Sequence, residues 1–105
     1  MDKGERIRRM IDKGMTAVEI GKKLGCPRVT VVSHALPPEA RSRVHATEYA
    51  KARQRGLSRR QANARANSLL QRACSAAYWA RYAEARATAS APPALRRAPP
   101  PAAAE

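Results

Sequence analysis

The segment from Thr16 to Leu36 constrains the fold more than any other part of this chain, because its residues punctuate two short helices. Thr16 and Glu19 have the spacing of a capping box, in which each side chain bonds the backbone N–H of the other residue. Gly25 ends the helix, since glycine adopts positive φ without a Cβ clash. Pro27 fits the first turn of a second helix, running to about Leu36, because that turn needs no N–H from it.

Residues inside this segment follow a motif of apolar, small and turn-forming positions. The six positions are Ile20, Gly21, Leu24, Gly25, Cys26 and Val31. This pattern resembles the helix-turn-helix of small bacterial and phage DNA-binding proteins, including repressors and the DNA-binding domains of site-specific recombinases. The last buried position of the motif falls on His34, and Leu36 is the alternative residue for that place. We expect Gly21 to leave room for a neighbouring helix.

The resemblance implies that the second motif helix enters the DNA major groove, with its N-terminal residues against base edges. Arg28 is expected to read guanine through O6 and N7. Val29 and Val32 either contact thymine methyl groups or pack in the core, and both interpretations stay open at this point. The remaining expected contacts are to bases or phosphates from Thr30, Ser33 and His34, and to the DNA backbone from Thr16, Lys22 and Lys23.

Residues 2–13 predict a helix that precedes the motif. Ile7, Met10 and Ile11 form an i, i+3, i+4 apolar stripe, and Gly14 ends the pattern. With the motif this gives a tri-helical helix-turn-helix domain over residues 1–36, so the predicted fold class is all-α.

Residues 37–90 predict a basic helical region that serves packing or dimerisation. Pro38 fits the first turn of a fourth helix that runs to about Arg55, and Gly56 closes it. Ser58 is a good N-cap, and neither proline nor glycine follows until Pro92. Residues 58–89 therefore form one long helix or two.

Two strips run along this last helical stretch. The apolar strip, suited to close packing against another helix, comprises Ala66, Leu69, Leu70, Ala73, Ala77 and Ala80. The second strip has a spacing of seven residues and comprises Arg65, Arg72, Trp79 and Arg86.

An internal echo pairs residues 13–16 with residues 55–58. It raises the alternative of a degenerate second helix-turn-helix, but Asn67 stands where the turn glycine would be, so we favour a plain helix. Residues 91–105 are rich in proline and alanine, and we expect a disordered tail there.

The net charge of +13 is strongly unbalanced for a chain of 105 residues. Lysine and arginine outnumber acidic residues by eleven to three in residues 37–90, so the excess lies mostly outside the motif. Such a field attracts polyanions, of which nucleic acid is the commonest in a cytoplasm. Lys22 and Lys23 are also compatible with an ordinary solvated face.

Other chemistries have little support in the sequence. Cys26 and Cys74 read as small core residues of a reducing compartment, and with the histidines they lack the spacing of a zinc site. Ser33 and His34 are adjacent, which points them apart on a helix. No catalytic motif, cofactor motif or membrane span is evident, so we expect a non-enzymatic protein of the bacterial cytoplasm or nucleoid.

The function predicted from these observations is sequence-specific binding of double-stranded DNA by a small phage- or plasmid-type transcriptional regulator, repressor-like and homodimeric. One alternative is a DNA-packaging or recombination accessory protein that oligomerises through its C-terminal helices. Another is a basic interaction protein that binds RNA or an acidic protein partner. We expect no cofactor and no small-molecule substrate.

Overall fold

Five α-helices make up the described part of the chain, residues 2–90, in a computed structural model that gives side chains for residues 2–88. No strand occurs in that range, so the all-α prediction is confirmed. The tail predicted for residues 91–105 lies outside the described residues. The helices are α1 (Lys3–Asp12), α2 (Ala17–Leu24), α3 (Arg28–His34), α4 (Pro38–Gln54) and α5 (Arg59–Ser90).

Helix α1 has a clear stop signal and α2 a clear start signal. Gly14 has φ of +92°, and the N–H of Met15 donates to the carbonyl of Met10 at 3.2 Å, which closes α1 as a Schellman motif does. The predicted capping box is confirmed, since the N–H of Thr16 donates to Glu19 Oε1 at 2.8 Å and the N–H of Glu19 donates to Thr16 Oγ1 at 3.2 Å.

The connection from α2 to α3 is as tight as the sequence predicts. Gly25 has φ of +71°, and Pro27 is the N-cap of α3, one position earlier than expected. Helix α3 ends at His34 rather than near Leu36. A Cβ at Gly21 would lie 2.5 Å from the carbonyl oxygen of Cys26. The closest approach is therefore made by the turn that leads into α3, and the N atom of Arg28, the first residue of α3, would lie at 3.9 Å.

The echo in the sequence corresponds to a repeated junction. Gly56 also has φ of +92°, and the N–H of Leu57 donates to the carbonyl of Ala52 at 3.2 Å. Ser58 and Gln61 then exchange hydrogen bonds of 3.0 and 3.2 Å, as in a capping box. Helix α5 continues unbroken past this point, so the expectation of a plain helix is confirmed.

The hydrophobic core is formed by α1, α2 and α3 together with the second half of α5. The residues that form it are therefore not confined to residues 1–36. It contains Cys74 and Tyr78 from α5. Its largest fully buried side chains are Ile7, Ile11, Ile20 and Val31.

Hydrogen bonds also connect α5 to α1, α2 and the end of α3. Tyr78 Oη accepts the buried backbone N–H of Ala17 at 2.9 Å, which satisfies one of the unpaired donors of the first turn of α2. Arg81 donates from Nε to the carbonyl of Ala35 at 3.1 Å and from Nη1 to both Asp12 carboxylate oxygens at 3.0 and 3.1 Å.

The buried side of α5 winds around the helix. Four residues of an α-helix span about 40° more than one full turn. Residues spaced by four therefore shift gradually around the helix axis. Its start faces α4 and its end faces the three-helix core. The predicted apolar strip is therefore only partly right: Ala66 is buried, but Ala80 is exposed. The observed line of buried and half-buried residues is Ala62, Ala66, Leu70, Cys74, Tyr78, Tyr82 and Ala85.

Tyr78→Phe should lower the free energy of unfolding by about 1–3 kcal/mol, because the N–H of Ala17 stays buried without a partner. Chemical denaturation followed by circular dichroism measures this loss. Tyr82→Phe is the matched control, since it removes the same hydroxyl from the next turn of α5. An equal loss in both variants would show that the bond to Ala17 is not the cause.

Gly21→Ala should also destabilise the chain, by roughly 1–3 kcal/mol, because the new Cβ must displace the backbone of the turn at Cys26. This exceeds the gain of at most ~1 kcal/mol from the better helix propensity of alanine. Lys23→Ala, an exposed change on the same helix, should stay within ~0.5 kcal/mol of the wild type. A Gly21→Ala variant as stable as the wild type would contradict the steric explanation.

Candidate nucleic-acid interface

The first turn of α3 is open to solvent. Arg28 is exposed, and Val29 keeps 64% of its surface. Val31, which lies about 160° around the helix from Val29, is fully buried in the core that α1 and α2 also form. The packing of Val31 thus fixes the direction in which Arg28 and Val29 point. Lys22 from α2 lines a shallow hollow together with Arg28.

The second turn of α3 is less accessible. Val32 retains 8% of its surface and belongs to the core cluster, which favours the packing interpretation of the two left open by the sequence. Ser33 is half-buried, and its hydroxyl donates to the carbonyl of Thr30 at 2.9 Å. Ala35, not Leu36, fills the last buried position of the segment, while Leu36 packs partly against the core.

His34 faces α1 rather than the exposed side of α3. A Cβ at Gly4 would lie 3.0 Å from His34 Nδ1, and Arg8 Nη1 donates to the carbonyl of His34 at 3.0 Å. Nδ1 is buried and has no hydrogen-bond partner among the described residues. Burial of the ring, then the positive charges of Arg41, Lys3 and Arg8, lower the pKa of His34, and only Asp2 opposes them. The ring is therefore neutral at pH 7.

The other expected contacts lie at opposite ends of α2. Thr16 is at the N-terminus, where its side chain is engaged in the capping box with Glu19. Those hydrogen bonds to the backbone and side chain of Thr16 lower the pKa of the Glu19 carboxyl. Lys22 and Lys23 are exposed in the last turn, next to the beginning of α3. Of these three residues, only Lys22 lines a hollow with Arg28.

A cleft of about 440 Å³ separates α3 from α4 and α5, and sequence reasoning did not reveal it. Four of the predicted site residues line its α3 wall: Arg28, Val29, Val32 and Ser33. Arg41 enters it from α4, and the buried Cys74 lies at its base. Burial raises the pKa of the Cys74 thiol, although the charge of Arg41 acts in the opposite direction.

The charged residues along most of α5 are all positive. The chain has no acidic residue between Ser58 and Ala83, whereas this stretch contains five arginines. Of these only Arg81 forms an ion pair with a described residue, Asp12. The predicted second strip of α5 is exposed as a whole, and it comprises Arg65, Arg72, Trp79 and Arg86.

Comparison with family models, curated proteins and solved structures finds no match to this chain. None of the described helices has the length and apolar character needed to cross a membrane. Residues 2–90 also contain no grouping of three histidine, cysteine or acidic side chains that would hold a metal ion.

The stability of the fold should fall as the pH drops through and below 6.5, the ordinary pKa of a histidine side chain. The pKa of His34 is lower in the folded chain than its ordinary value of 6.5, so the unfolded chain binds the extra proton first as the pH falls. Stability is thus fully present above that ordinary value and is lost below it. Asp2 and Glu19, whose pKa values are also lowered, start from 3.8 and 4.5 and act in more acidic solution.

Urea denaturation at a series of pH values measures this dependence, and His34→Gln should flatten it in that pH region. The control is His45→Gln, which removes the second histidine of the chain. His45 lies in α4 and is hydrogen-bonded to Asn63. A slope that persists in His34→Gln but disappears in His45→Gln would contradict the assignment.

Proposed function

We propose that this chain is a sequence-specific double-stranded DNA-binding protein, a small repressor-like regulator in which α2 and α3 act as a helix-turn-helix. The observation that carries the proposal is the exposure of Arg28 and Val29 on the first turn of α3, a helix whose position is fixed by the buried Val31 and Val32. A short helix supported from behind, with a cation and an apolar group at its exposed end, suits insertion into the major groove.

In this proposal the first turn of α3 reads the bases. Arg28 donates to O6 and N7 of a guanine, and Val29 contacts a thymine methyl group. Lys22 and Lys23 neutralise phosphates at the edge of the same groove, and Thr30 and Ser33 serve as weaker polar contacts. Val32 packs in the core and stabilises the position of α3 beside the cleft that α4 and α5 border.

Helix α3 has seven residues, which is about 10 Å of helix. A helix of this length reads only a few base pairs, and two copies on half-sites about 34 Å apart are the usual remedy. We therefore propose a homodimer on a two-fold symmetric site. The charge of +13 supplies the non-specific attraction to DNA.

A second candidate function rests on α4. Ala52 is the one residue of this 17-residue helix that is buried, and α4 packs mainly on the first half of α5. The α4–α5 hairpin therefore offers a long surface for self-assembly beyond the three-helix core. This favours the alternative of a DNA-packaging or recombination accessory protein that forms a larger oligomer. The molar mass in solution separates it from the dimeric regulator.

Arg28→Ala should weaken binding to the selected DNA site by ~1–3 kcal/mol and relax the preference at one base pair. Selection of bound sequences from random duplex DNA, done in parallel for wild type and variant, measures both effects. Arg55→Ala is the matched control: it removes one exposed guanidinium at the end of α4 remote from α3, and should leave the preference unchanged.

Several outcomes would contradict the proposal. A wild-type chain that enriches no sequence, or that prefers RNA over duplex DNA in a gel shift, would replace it by the basic interaction protein. Affinity for DNA that does not change between low and physiological salt would also contradict it, since each neutralised phosphate adds ~0.9 to the slope of log K against log salt.

A further inference from the structure

A stripe of uncharged polar residues accompanies the buried line of α5. Each of these polar residues directly follows a buried or half-buried residue in the sequence. The polar residues therefore lie next to the buried face along the whole of this stretch of α5. We call Asn67, Gln71 and Ser75 the polar stripe of α5. All three are exposed, and all three line the cleft that faces α3.

The opposite walls of the cleft carry positive charge. Arg28 lies on the α3 wall and Arg41 on the α4 wall, and no carboxylate lines the cleft. Arg41 Nε is buried and has no hydrogen-bond partner among the described residues. An arginine that is partly buried beside two other helices, with an unused donor and no acid nearby, is a group that an incoming anion would satisfy.

We propose that this cleft receives the phosphodiester backbone of the bound DNA strand, so that α4 and α5 form a second contact surface beside α3. Arg41 donates to a phosphate oxygen, and Gln71, Asn67 and Ser75 donate to the same stretch of backbone from the other side. Amides, hydroxyls and guanidinium groups are the usual phosphate contacts. This inference rests on the proposed function, because it needs DNA in front of α3.

The position of the cleft favours a DNA strand over a free anion. Arg28 and Val29 belong both to its α3 wall and to the exposed turn proposed to read bases. A strand that borders the groove entered by α3 therefore passes the polar stripe of α5 directly. The exposed Arg72 and Ser68 extend this face along α5, since they line a hollow with Gln71 and Ser75.

Two matched pairs of variants test the inference. Arg41→Gln is compared with Arg43→Gln, because both remove one positive charge from α4 but only Arg41 lines the cleft. Gln71→Ala is compared with Gln54→Ala, which changes an exposed glutamine at the end of α4. The full chain binds a fluorescent duplex carrying the selected site, and anisotropy gives the affinity over a range of salt concentrations. Circular dichroism verifies folding.

Arg41→Gln should weaken DNA binding about tenfold relative to Arg43→Gln, as loss of a charge-assisted hydrogen bond does. Its slope of log K against log salt should fall by about 1 relative to wild type. Gln71→Ala should weaken binding about threefold relative to Gln54→Ala. Because phosphates carry no sequence information, base preference should stay the same, unlike that of Arg28→Ala.

Three results would overturn the inference in distinguishable ways. Equal affinities within both pairs, with wild-type binding intact, would reject the cleft contact and leave the proposed function standing. Absence of specific wild-type binding would reject both. Titration with inorganic phosphate at constant ionic strength gives the third: if Arg41→Gln loses phosphate binding but keeps DNA affinity, the cleft is a site for a small free anion instead. Should Arg41→Gln fail to fold, the exposed Gln71 pair decides alone.

Discussion

The contact between Tyr78 and the beginning of α2 is the interaction on which the rest of the structure depends. Residues 1–36 contribute only four large, fully buried side chains, too few for an independent core in a unit of this size. Tyr78 and Cys74 complete that core, and the Tyr78 hydroxyl satisfies the buried N–H of Ala17. The orientation of α3 therefore depends on a helix that begins more than twenty residues after it.

A consequence is that the proposed reading helix and the α4–α5 hairpin are parts of one packed body. Helix α5 continues without a break from its contact with α4 to its contact with α1–α3, and Arg81 ties it to both Asp12 and Ala35. The cleft beside α3 is bounded on its far side by this same helix. The α4–α5 hairpin is thus connected to α3 through a continuous packed helix and not through a linker.

Local signals in the sequence predicted the helices well, because caps and turns are decided by a few neighbouring residues. The capping box at Thr16 and the glycines at 14, 25 and 56 place the helix boundaries within one or two residues. The buried face of α5 was not predictable in this way. It changes partner along its length, so a fixed strip through Ala80 misses Cys74 and Tyr78. The exposure of Arg28 and Val29 agrees with what the sequence led us to expect, but the cleft with Arg41 depends on packing between distant segments.

The uneven distribution of charge has a physical meaning in this arrangement. Every acidic residue in α1 and α2, and the N-cap Asp2, has a partner: Asp2 and Glu19 accept cap bonds, Glu5 pairs with Arg9, and Asp12 pairs with the distant Arg81. Helix α5 has no acid before Glu84, so most of its arginines have no neighbouring carboxylate on the same helix. Cations left without acids raise the local potential toward a polyanion. In the proposed complex with DNA, affinity would come mainly from α4 and α5 and discrimination between bases from α3. This division would account for a basic excess that lies outside the helix that resembles a DNA reader.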